Sequence, residues 1–252
     1  MRNIKLIIAY DGTGYSGWQR QKGPPTIQGV LEDTIALMTN EPVTLYGAGR
    51  TDAGVHALGM VANFKTISKI PCYGFLKGLN SLLPEDIRVL RLEEAAADFH
   101  ARFSARSKSY LYSVITSPLI LPTKRLYHTH FPGKFDIALM NDAISLLIGE
   151  HDFSGFEAAG SRDLKIIGGR GAVREIYSAR VSPSADEQGF SVSVHGNGFL
   201  RHMVRNIVGS LVDVGIAKIT IDNFAEILYA RKRSAAGATA PACGLFLQKV
   251  FY

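Results

Sequence analysis

The stretch GAGRTDAGVHA, residues 47–57, places an Arg-Thr-Asp triplet and a histidine among glycines and alanines. The preceding PVTLYG is typical of a short strand, and the following GMVANFKT alternates apolar and polar residues as a strand does. The motif is therefore predicted to be a loop between two strands. Its small side chains should leave room for a ligand and leave the carboxylate of Asp52 reachable.

Asp52 is the candidate for chemistry in this loop. Arg50, two residues earlier, is expected to keep the Asp52 carboxylate ionised by lowering its pKa. An ionised aspartate can act as a nucleophile or a general base. The alternative is structural: Asp52 could form an Asx-turn and pair with Arg50 to shape the loop, as loop aspartates often do. His56 is interpreted as a loop-packing residue. The residues of the loop alone leave both interpretations of Asp52 open.

Periodic patterns along the rest of the chain predict a mixture of helices and strands. Helical spacing predicts five helices, over residues 27–40, 72–83, 137–148, 199–215 and 220–230, the first capped by Thr26 and the last by Thr220. Alternation predicts further strands over residues 3–10, 87–95, 106–116, 172–182, 190–198 and 243–252, with the pair 172–182 and 190–198 forming a hairpin. In the 199–215 helix, Arg201 and Arg205 should share one edge.

Because each half contains strands, a helix and more strands, the chain is predicted to be an α+β fold of two similar subdomains. The expected division is residues 1–104, carrying the Asp52 loop, and residues 105–252, carrying the tyrosine strand and the arginine helix. The Gly-rich stretch from residue 151 to 171 is expected to be a mobile loop.

Composition limits the classes of protein that fit. The chain has 252 residues, a formal net charge of +6 and a pI near 9.3, which permits nucleic-acid binding without demanding it. No apolar run approaches the roughly 18 residues of a spanning helix, and the N-terminal run is too short for a signal peptide, so a cytoplasmic location is expected. The cysteines, Cys72 and Cys243, are too few for a disulfide framework and are expected to be buried.

Metal and phosphate sites receive weak support. His128 and His130, with His56 or His202, could supply ligands for a metal-dependent nucleic-acid hydrolase, but no HExxH motif or cysteine pair accompanies them. The expectation is therefore no metal. GTGYSG and GNGFLR share only glycines with phosphate-binding loops, although a helix beginning near Phe199 would offer free N–H groups to a phosphate.

Aromatic and basic residues alternate in YSGWQRQK, ARFSARSKSYLY and FLRHMVR. Such mixtures suit RNA, because aromatic rings stack on unpaired bases while arginine and lysine hold the phosphates. Within these stretches, Tyr112 is interpreted as a half-buried strand residue. Trp18 could equally be a loop anchor or a base platform, and Arg201 could be a solvated helix edge.

Taken together, several stretches resemble the TruA-type tRNA pseudouridine synthase family. GRTDAGVHA resembles that family's catalytic loop, and YDGTGYSGWQRQ, TIQGVLE, ARFSARSKSYLY, FLRHMVRNIVG and AAGATAPACGLFL resemble its other blocks in the same order. The resemblance runs from Tyr10 to the last strand. Only the stretch GSRDLKIIGGRGAVREIY is longer and richer in glycine than the family pattern.

The resemblance implies a pseudouridine synthase fold, in which mostly antiparallel sheets form a central cleft. It implies isomerisation of uridine to pseudouridine at positions 38, 39 and 40 of the tRNA anticodon stem-loop, by a homodimer without a cofactor. By position, Asp52 corresponds to the catalytic aspartate and Tyr110 to the aromatic residue that stacks on the target uracil. Arg205 corresponds to the arginine that pairs with the aspartate and helps to open the duplex. Arg50 and Arg201 are expected to bind substrate. The remaining alternative is a tRNA-binding module of the same fold without catalysis.

Overall fold

The computed structural model describes residues 1–158, 160, 171–185, 188–231 and 233–252. These residues form two compact units, Met1–Arg106 with Phe246–Tyr252, and Ser107–Leu245. The last strand, which the sequence pattern predicts in the C-terminal subdomain, groups with the first unit over residues 246–252. The physical reason is backbone pairing, because Phe246 and Leu247 lie in parallel register with His56 and Ala57.

The first unit combines a sheet with two helices. Its elements are β1 (Arg2–Tyr10), α1 (Ile27–Thr39), β2 (Tyr46–Gly47), β3 (His56–Thr66), α2 (Cys72–Leu82), β4 (Ile87–Ala95) and β10 (Leu245–Phe251). The central strands run in the order β4-β1-β3-β10, antiparallel except for the β3–β10 pair, and β2 pairs with β3. Alternate residues of β1, Ile4, Leu6 and Ile8, are fully buried, and this is the pattern that predicted the strand.

Helix α1 begins and ends at the residues that the sequence predicts. The hydroxyl of Thr26 accepts the Gly29 N–H at 3.2 Å, which satisfies one of the free donors of the first turn. Asn40 ends the helix with a φ of 55°, in the left-handed conformation that asparagine tolerates. Both boundary predictions are confirmed.

The second unit combines further strands with three helices in its described residues. Its elements are β5 (Ser107–Ile115), β6 (Thr129–His130), α3 (Ile137–Ser145), β7 (Gly149–Asp152), β8 (Val173–Pro183), β9 (Gly189–Gly196), α4 (Met203–Gly215) and α5 (Ile221–Ala230). Strands β5-β9-β8-β7 are antiparallel neighbours, and β6 runs parallel to β5. The predicted pairing of the strands now labelled β8 and β9 is confirmed, and so is the Thr220 cap, which forms a capping box with Asn223.

Two expectations about these elements are wrong. The helix predicted from Phe199 begins at Met203, because His202 has a left-handed φ of 61° that interrupts the helical backbone. Arg201 therefore lies in a turn before the helix, whereas Arg205 lies in the helix itself. The cysteines are half-buried instead of buried: the Cys243 thiol lies 3.6 Å from the His128 carbonyl oxygen, and the Arg2 guanidinium lies 3.7 Å from the Cys72 sulfur.

The α+β class is confirmed, with mostly antiparallel pairing and five α-helices in the described part of the chain. Among these helices, not one has the length and apolar character needed to cross a membrane. The Gly-rich stretch 151–171 is not a loop from its first residue, because residues 151–152 belong to β7 and Phe153–Phe156 form a 3-10 helix with both phenyl rings buried. Residues 159 and 161–170 lie outside the described residues, so the predicted mobility of that part stays a prediction.

The segment after α5 packs tightly on α4. The Gly237 N–H donates to the Ser210 hydroxyl at 3.0 Å, and the Thr239 hydroxyl donates to the Asn206 side-chain oxygen at 2.6 Å. Gly209 faces the Ala238 carbonyl so closely that a Cβ on Gly209 would overlap it. A glycine in the middle of a helix is thus explained by the approach of another backbone.

We predict opposite effects of alanine at two helical glycines. Gly74→Ala in α2 places a Cβ at 3.4 Å from the Ile70 side chain, an ordinary contact, and should stabilise the chain by up to about 1 kcal/mol through helix propensity. Gly209→Ala should instead destabilise it by about 1–3 kcal/mol, since the Ala238 backbone must move. Urea titration measures both, and stabilisation by Gly209→Ala would contradict the packing argument.

Candidate active site

Asp52 lies half-buried in the loop between β2 and β3, as predicted. The Ala48 N–H donates to the Val61 carbonyl at 2.8 Å, where the loop leaves β2. At the other end, the Val55 N–H donates to the Asp52 carbonyl at 3.2 Å and closes a turn. Gly54, inside this turn, has a φ of 76°, a conformation that side chains disfavour. The turn therefore needs a glycine two residues after Asp52.

A second segment, residues 10–18, holds the Asp52 loop from the side. The backbone N–H of Trp18 donates to the Thr51 carbonyl at 3.1 Å, and the hydroxyls of Tyr10 and Thr51 are hydrogen-bonded to each other at 2.8 Å. The Gly54 N–H donates to the Tyr15 carbonyl at 3.3 Å. Residues on both sides of Asp52 are thus bonded to one neighbouring segment, which fixes the backbone that carries the carboxylate.

Two glycines of residues 10–18 allow this close contact. Gly17 has a φ of 86°, and a Cβ built on it would lie 2.5 Å from the Thr51 carbonyl oxygen. A Cβ on Gly12 would overlap the Val55 carbonyl. The two backbones touch directly at these points, with no side chain between them.

Trp18 is a buried anchor of this arrangement. Its side chain is 3% exposed, and a Cβ on Gly47 would lie 2.6 Å from the indole ring. The structure therefore decides between the two interpretations of Trp18 in favour of the loop anchor. The small residues of the loop were expected to leave room for a ligand. At Gly47 this expectation is wrong, because the space beside this residue is filled by Trp18.

His56 is the first residue of β3, with 1% of its surface exposed. Its Nδ1 accepts the Gly12 N–H at 3.1 Å and lies 3.2 Å from a carboxylate oxygen of Asp11. The ring stacks on Phe246 with centroids 4.7 Å apart. His56 is thus a packing residue of the strand rather than of the loop itself.

Tyr15 ties the same segment to the start of β4. Its hydroxyl donates to the Asp86 carboxylate at 2.7 Å. Burial, together with the hydrogen bond and the negative charge of Asp86, raises the pKa of Tyr15 above its ordinary value. Tyr15 therefore stays protonated and keeps donating throughout the neutral pH range.

Arg50 is exposed on the same loop as Asp52. Its side chain is open to a ligand in solution, as expected for a substrate-binding residue. The assignment of Arg50 to substrate stays a prediction.

Tyr110 occupies the middle of β5 in the second unit, opposite Val194 of β9. The side chain is 9% exposed, and its ring meets the edge of Phe199 with centroids 4.9 Å apart. Sheet pairing and the Phe199 contact give Tyr110 a fixed orientation. The sequence pattern pointed to Phe199 only as the start of a helix, because a ring contact between distant residues leaves no periodic signal.

Tyr112, two residues further along β5, has a structural role. It is fully buried, and its hydroxyl lies 2.6 Å from the Thr129 hydroxyl and donates to the Pro241 carbonyl at 2.7 Å. Burial, more than any other cause, raises the pKa of the Tyr112 hydroxyl above its ordinary value. The interpretation of Tyr112 as a strand residue is confirmed, and it is buried completely rather than by half.

Arg205 lies in the first turn of α4, and both its side chain and its backbone are hydrogen-bonded to Ala240. Its Nε–H donates to the Ala240 carbonyl at 2.7 Å, and its own carbonyl accepts the Ala240 N–H at 3.1 Å. Ala240 belongs to the AAGATAPACGLFL block, so the contact gives this block a function: it orients the arginine. Arg201 is exposed in the turn before α4, where its carbonyl accepts the Ala158 N–H at 2.9 Å.

The histidines considered for a metal site make other contacts. His128 Nδ1 lies 3.2 Å from the Lys124 carbonyl oxygen, and His130 Nε2 lies 2.8 Å from that of Ser117. Within the described ranges, no group of three or more His, Cys, Asp or Glu side chains is placed to hold a metal ion. The hydrolase alternative thus gains no support from these residues.

Comparison with known proteins gives one consistent result. The family model described as tRNA pseudouridine synthase matches residues 6–104 and 143–252. The chain is 49% identical to tRNA pseudouridine synthase A 1 of Desulfotalea psychrophila over 252 residues, covering 100% of both chains. It is 46% identical to tRNA pseudouridine synthase A of Acetivibrio thermocellus over 254 residues, and 44% identical to that of Thermoanaerobacter sp. over 252 residues, again covering 100% of both chains.

We predict that Gly17→Ala loosens the Asp52 loop. The added Cβ must push the Thr51 carbonyl away, so the amides of Trp18 and Gly54 should exchange with solvent at least about 10-fold faster. Gly14→Ala is the matched control, because a Cβ at Gly14 meets nothing within 4 Å. Hydrogen exchange read by mass spectrometry compares the two variants. Equal protection of the loop in both would contradict the proposed contact.

Proposed function

The chain belongs to the tRNA pseudouridine synthase family, and we propose that it isomerises uridine to pseudouridine at positions 38, 39 and 40 of the tRNA anticodon stem-loop. The observation that carries the proposal is Asp52 on a loop whose backbone is fixed on both sides by residues 10–18. Full-length identity of 44–49% to proteins named tRNA pseudouridine synthase A supports it.

The chemistry of this isomerisation requires a positioned carboxylate. The N1–C1′ bond of uridine breaks, the uracil rotates, and C5 bonds to C1′, so the reaction involves no net redox change and no hydrolysis. Asp52 could attack C1′, add to C6 of the base, or remove the C2′ proton to form a glycal. Each route places the reactive oxygen on the same side chain. We therefore assign catalysis to Asp52 and leave these three routes open.

We propose that Tyr110 and Arg205 act on the same uridine. A base inside a helix must leave the stack, at a cost of a few kcal/mol, before an enzyme can act on it. Stacking of the uracil on Tyr110 and filling of the gap by Arg205 would offset this cost. Arg205 would also pair with the Asp52 carboxylate and favour its ionised form. Support comes from the two fixed side chains: Tyr110 by its strand and Phe199, and Arg205 by Ala240.

The remaining assignments concern the wider complex. Arg50 and Arg201 are exposed, and we propose that they bind the phosphates of the tRNA. We further propose that the protein acts as a cytoplasmic homodimer, with each tRNA contacting both subunits. A net charge of +6 spread along the sequence, rather than gathered in a tail, suits an extended RNA.

Asp52→Asn tests catalysis against mere binding. The amide keeps the size of the side chain but removes its charge, so pseudouridine formation should fall by at least about 1000-fold. Binding of tRNA should stay within about 3-fold, because binding alone does not need the carboxylate. Asp33→Asn on α1 is the matched control and should keep full activity. Near-normal pseudouridine formation by Asp52→Asn, in an anticodon stem-loop assay, would refute the assignment.

Tyr110 variants test the stacking role. Tyr110→Phe keeps the ring and should bind tRNA within about 3-fold of the unmodified chain, whereas Tyr110→Ala should bind about 10-fold more weakly. Fluorescence anisotropy with labelled tRNA measures both. Strong loss of binding in Tyr110→Phe would show that the hydroxyl, and not stacking, is the main contribution of this residue.

A further inference from the structure

Phe103 is 78% exposed and lies in a turn of the first unit. The turn follows β4 and belongs to the stretch ARFSARSKSYLY, in which aromatic and basic residues alternate. The proposed catalytic assignment uses only Tyr110 from this stretch. The role of Phe103 is therefore unexplained by catalysis.

Local hydrogen bonds fix the shape of the Phe103 turn. His100 Nδ1 accepts the N–H groups of Arg102 at 3.1 Å and Phe103 at 3.4 Å. The His100 N–H donates to the Ser104 hydroxyl at 3.1 Å, and the Ser104 N–H donates back to the His100 carbonyl at 2.9 Å. The backbone before and after the exposed ring is thus held by one histidine and one serine.

Buried polar groups anchor the turn to the sheet. Ala101 is fully buried; its N–H donates to the Asn63 side-chain oxygen at 2.8 Å, and its carbonyl accepts the Tyr252 hydroxyl at 2.7 Å. The side-chain N–H of Asn63 donates to the side-chain oxygen of Asn3 at 2.9 Å. The side-chain N–H of Asn3 in turn donates to the Phe99 carbonyl at 2.9 Å. Buried amide networks of this kind are rigid when all their members are bonded.

The exposed ring forms one end of an aromatic row. The Phe103 and His100 rings have centroids 4.4 Å apart, and the His100 and Tyr46 rings have centroids 5.0 Å apart. Tyr46 is 45% exposed and lies in β2, the strand that leads into the Asp52 loop. We call Tyr46, His100 and Phe103 the aromatic row. The aromatic row extends from the exposed ring of Phe103 to β2, the strand that leads into the proposed catalytic loop.

Positive charge accompanies the aromatic row. The Arg102 guanidinium lies 5.9 Å from the Phe103 ring centroid, and Arg106, two residues after the turn, is exposed. Asp98 is the single acidic residue between positions 96 and 106. A flat apolar ring beside guanidinium groups suits an unpaired base with its phosphate, because the ring stacks on the base while arginine neutralises the backbone.

We propose that Phe103 and the aromatic row stack on an unpaired nucleobase of the tRNA, separate from the uridine that is isomerised, and that Arg102 contacts the adjoining phosphate. The proposal rests on the proposed function, since it takes tRNA as the partner. Because this contact is made equally before and during the reaction, it should lower KM without changing kcat.

The test measures tRNA binding and turnover in the full-length chain. Phe103→Ala should weaken binding of transcribed tRNA about 10-fold and raise KM by the same factor, with kcat unchanged. Phe103→Tyr should restore both, since the ring returns. Arg102→Gln should reduce the slope of log Kd against log salt by about 1, whereas Phe103→Ala should leave that slope unchanged. If either substitution acted only by disrupting the fold, Arg102→Gln and Phe103→Ala would not differ in salt dependence in this way.

Tyr73→Ala is the matched control. Tyr73 is also an aromatic residue of the first unit, 67% exposed, with the Lys77 ammonium 4.8 Å from its ring centroid, but it lies on α2. This variant should bind tRNA normally. Unchanged tRNA binding by Phe103→Ala would overturn the proposal. The proposal would also be overturned if, without RNA, Phe103→Ala sedimented as a smaller oligomer than the unmodified chain, because the ring would then contact a second copy of the chain. Absence of pseudouridine with the unmodified chain would overturn the proposed function alone, since binding is measured separately.

Discussion

The Asp52 loop depends on a direct contact between two stretches of backbone. Gly12 and Gly17 lie against the carbonyls of Val55 and Thr51 at distances that no Cβ allows. Hydrogen bonds from Trp18 and to Tyr15 then fasten the loop on both sides of Asp52. A carboxylate on such a backbone is oriented before any ligand arrives, and this is the condition under which electrostatic catalysis costs least reorganisation. The glycines before the first helix and the GRTDAGVHA motif are thus parts of one structure.

The second unit uses the same physical device at Arg205. Gly209 lets the Ala238 carbonyl rest on α4, and this places Ala240 within hydrogen-bonding distance of the Arg205 side chain. In both units, the residue proposed for chemistry lies on one segment, and a segment distant in sequence holds it through a glycine contact. Catalytic side chains supported in this way keep their geometry, because their positions do not depend on loop packing alone.

The parts of the fold that have a local cause can be predicted from the sequence. Thr26 and Asn40 are helix boundary residues by their own chemistry, and the alternation of Ile4, Leu6 and Ile8 follows from one buried sheet face. The start of α4 was predicted wrongly because the apolar period continues through His202, whose left-handed φ has no periodic signature. The Gly17–Thr51 and Gly209–Ala238 contacts were equally invisible, since they join segments that only the folded chain brings together.

Aromatic residues show most clearly where sequence patterns end. Trp18, Phe103 and Tyr112 all occur among basic or polar residues, yet Trp18 and Tyr112 are buried while Phe103 is exposed. Folding alone does not account for that difference, because burying a phenyl ring stabilises a protein by about 1.5–3 kcal/mol, and Phe103 forgoes most of this gain. The asparagine network below Ala101 nevertheless fixes the turn with the ring outward. A rigid support under an exposed ring is understandable when the ring's partner is another molecule, and the Arg102 guanidinium beside the ring suits the proposed RNA partner.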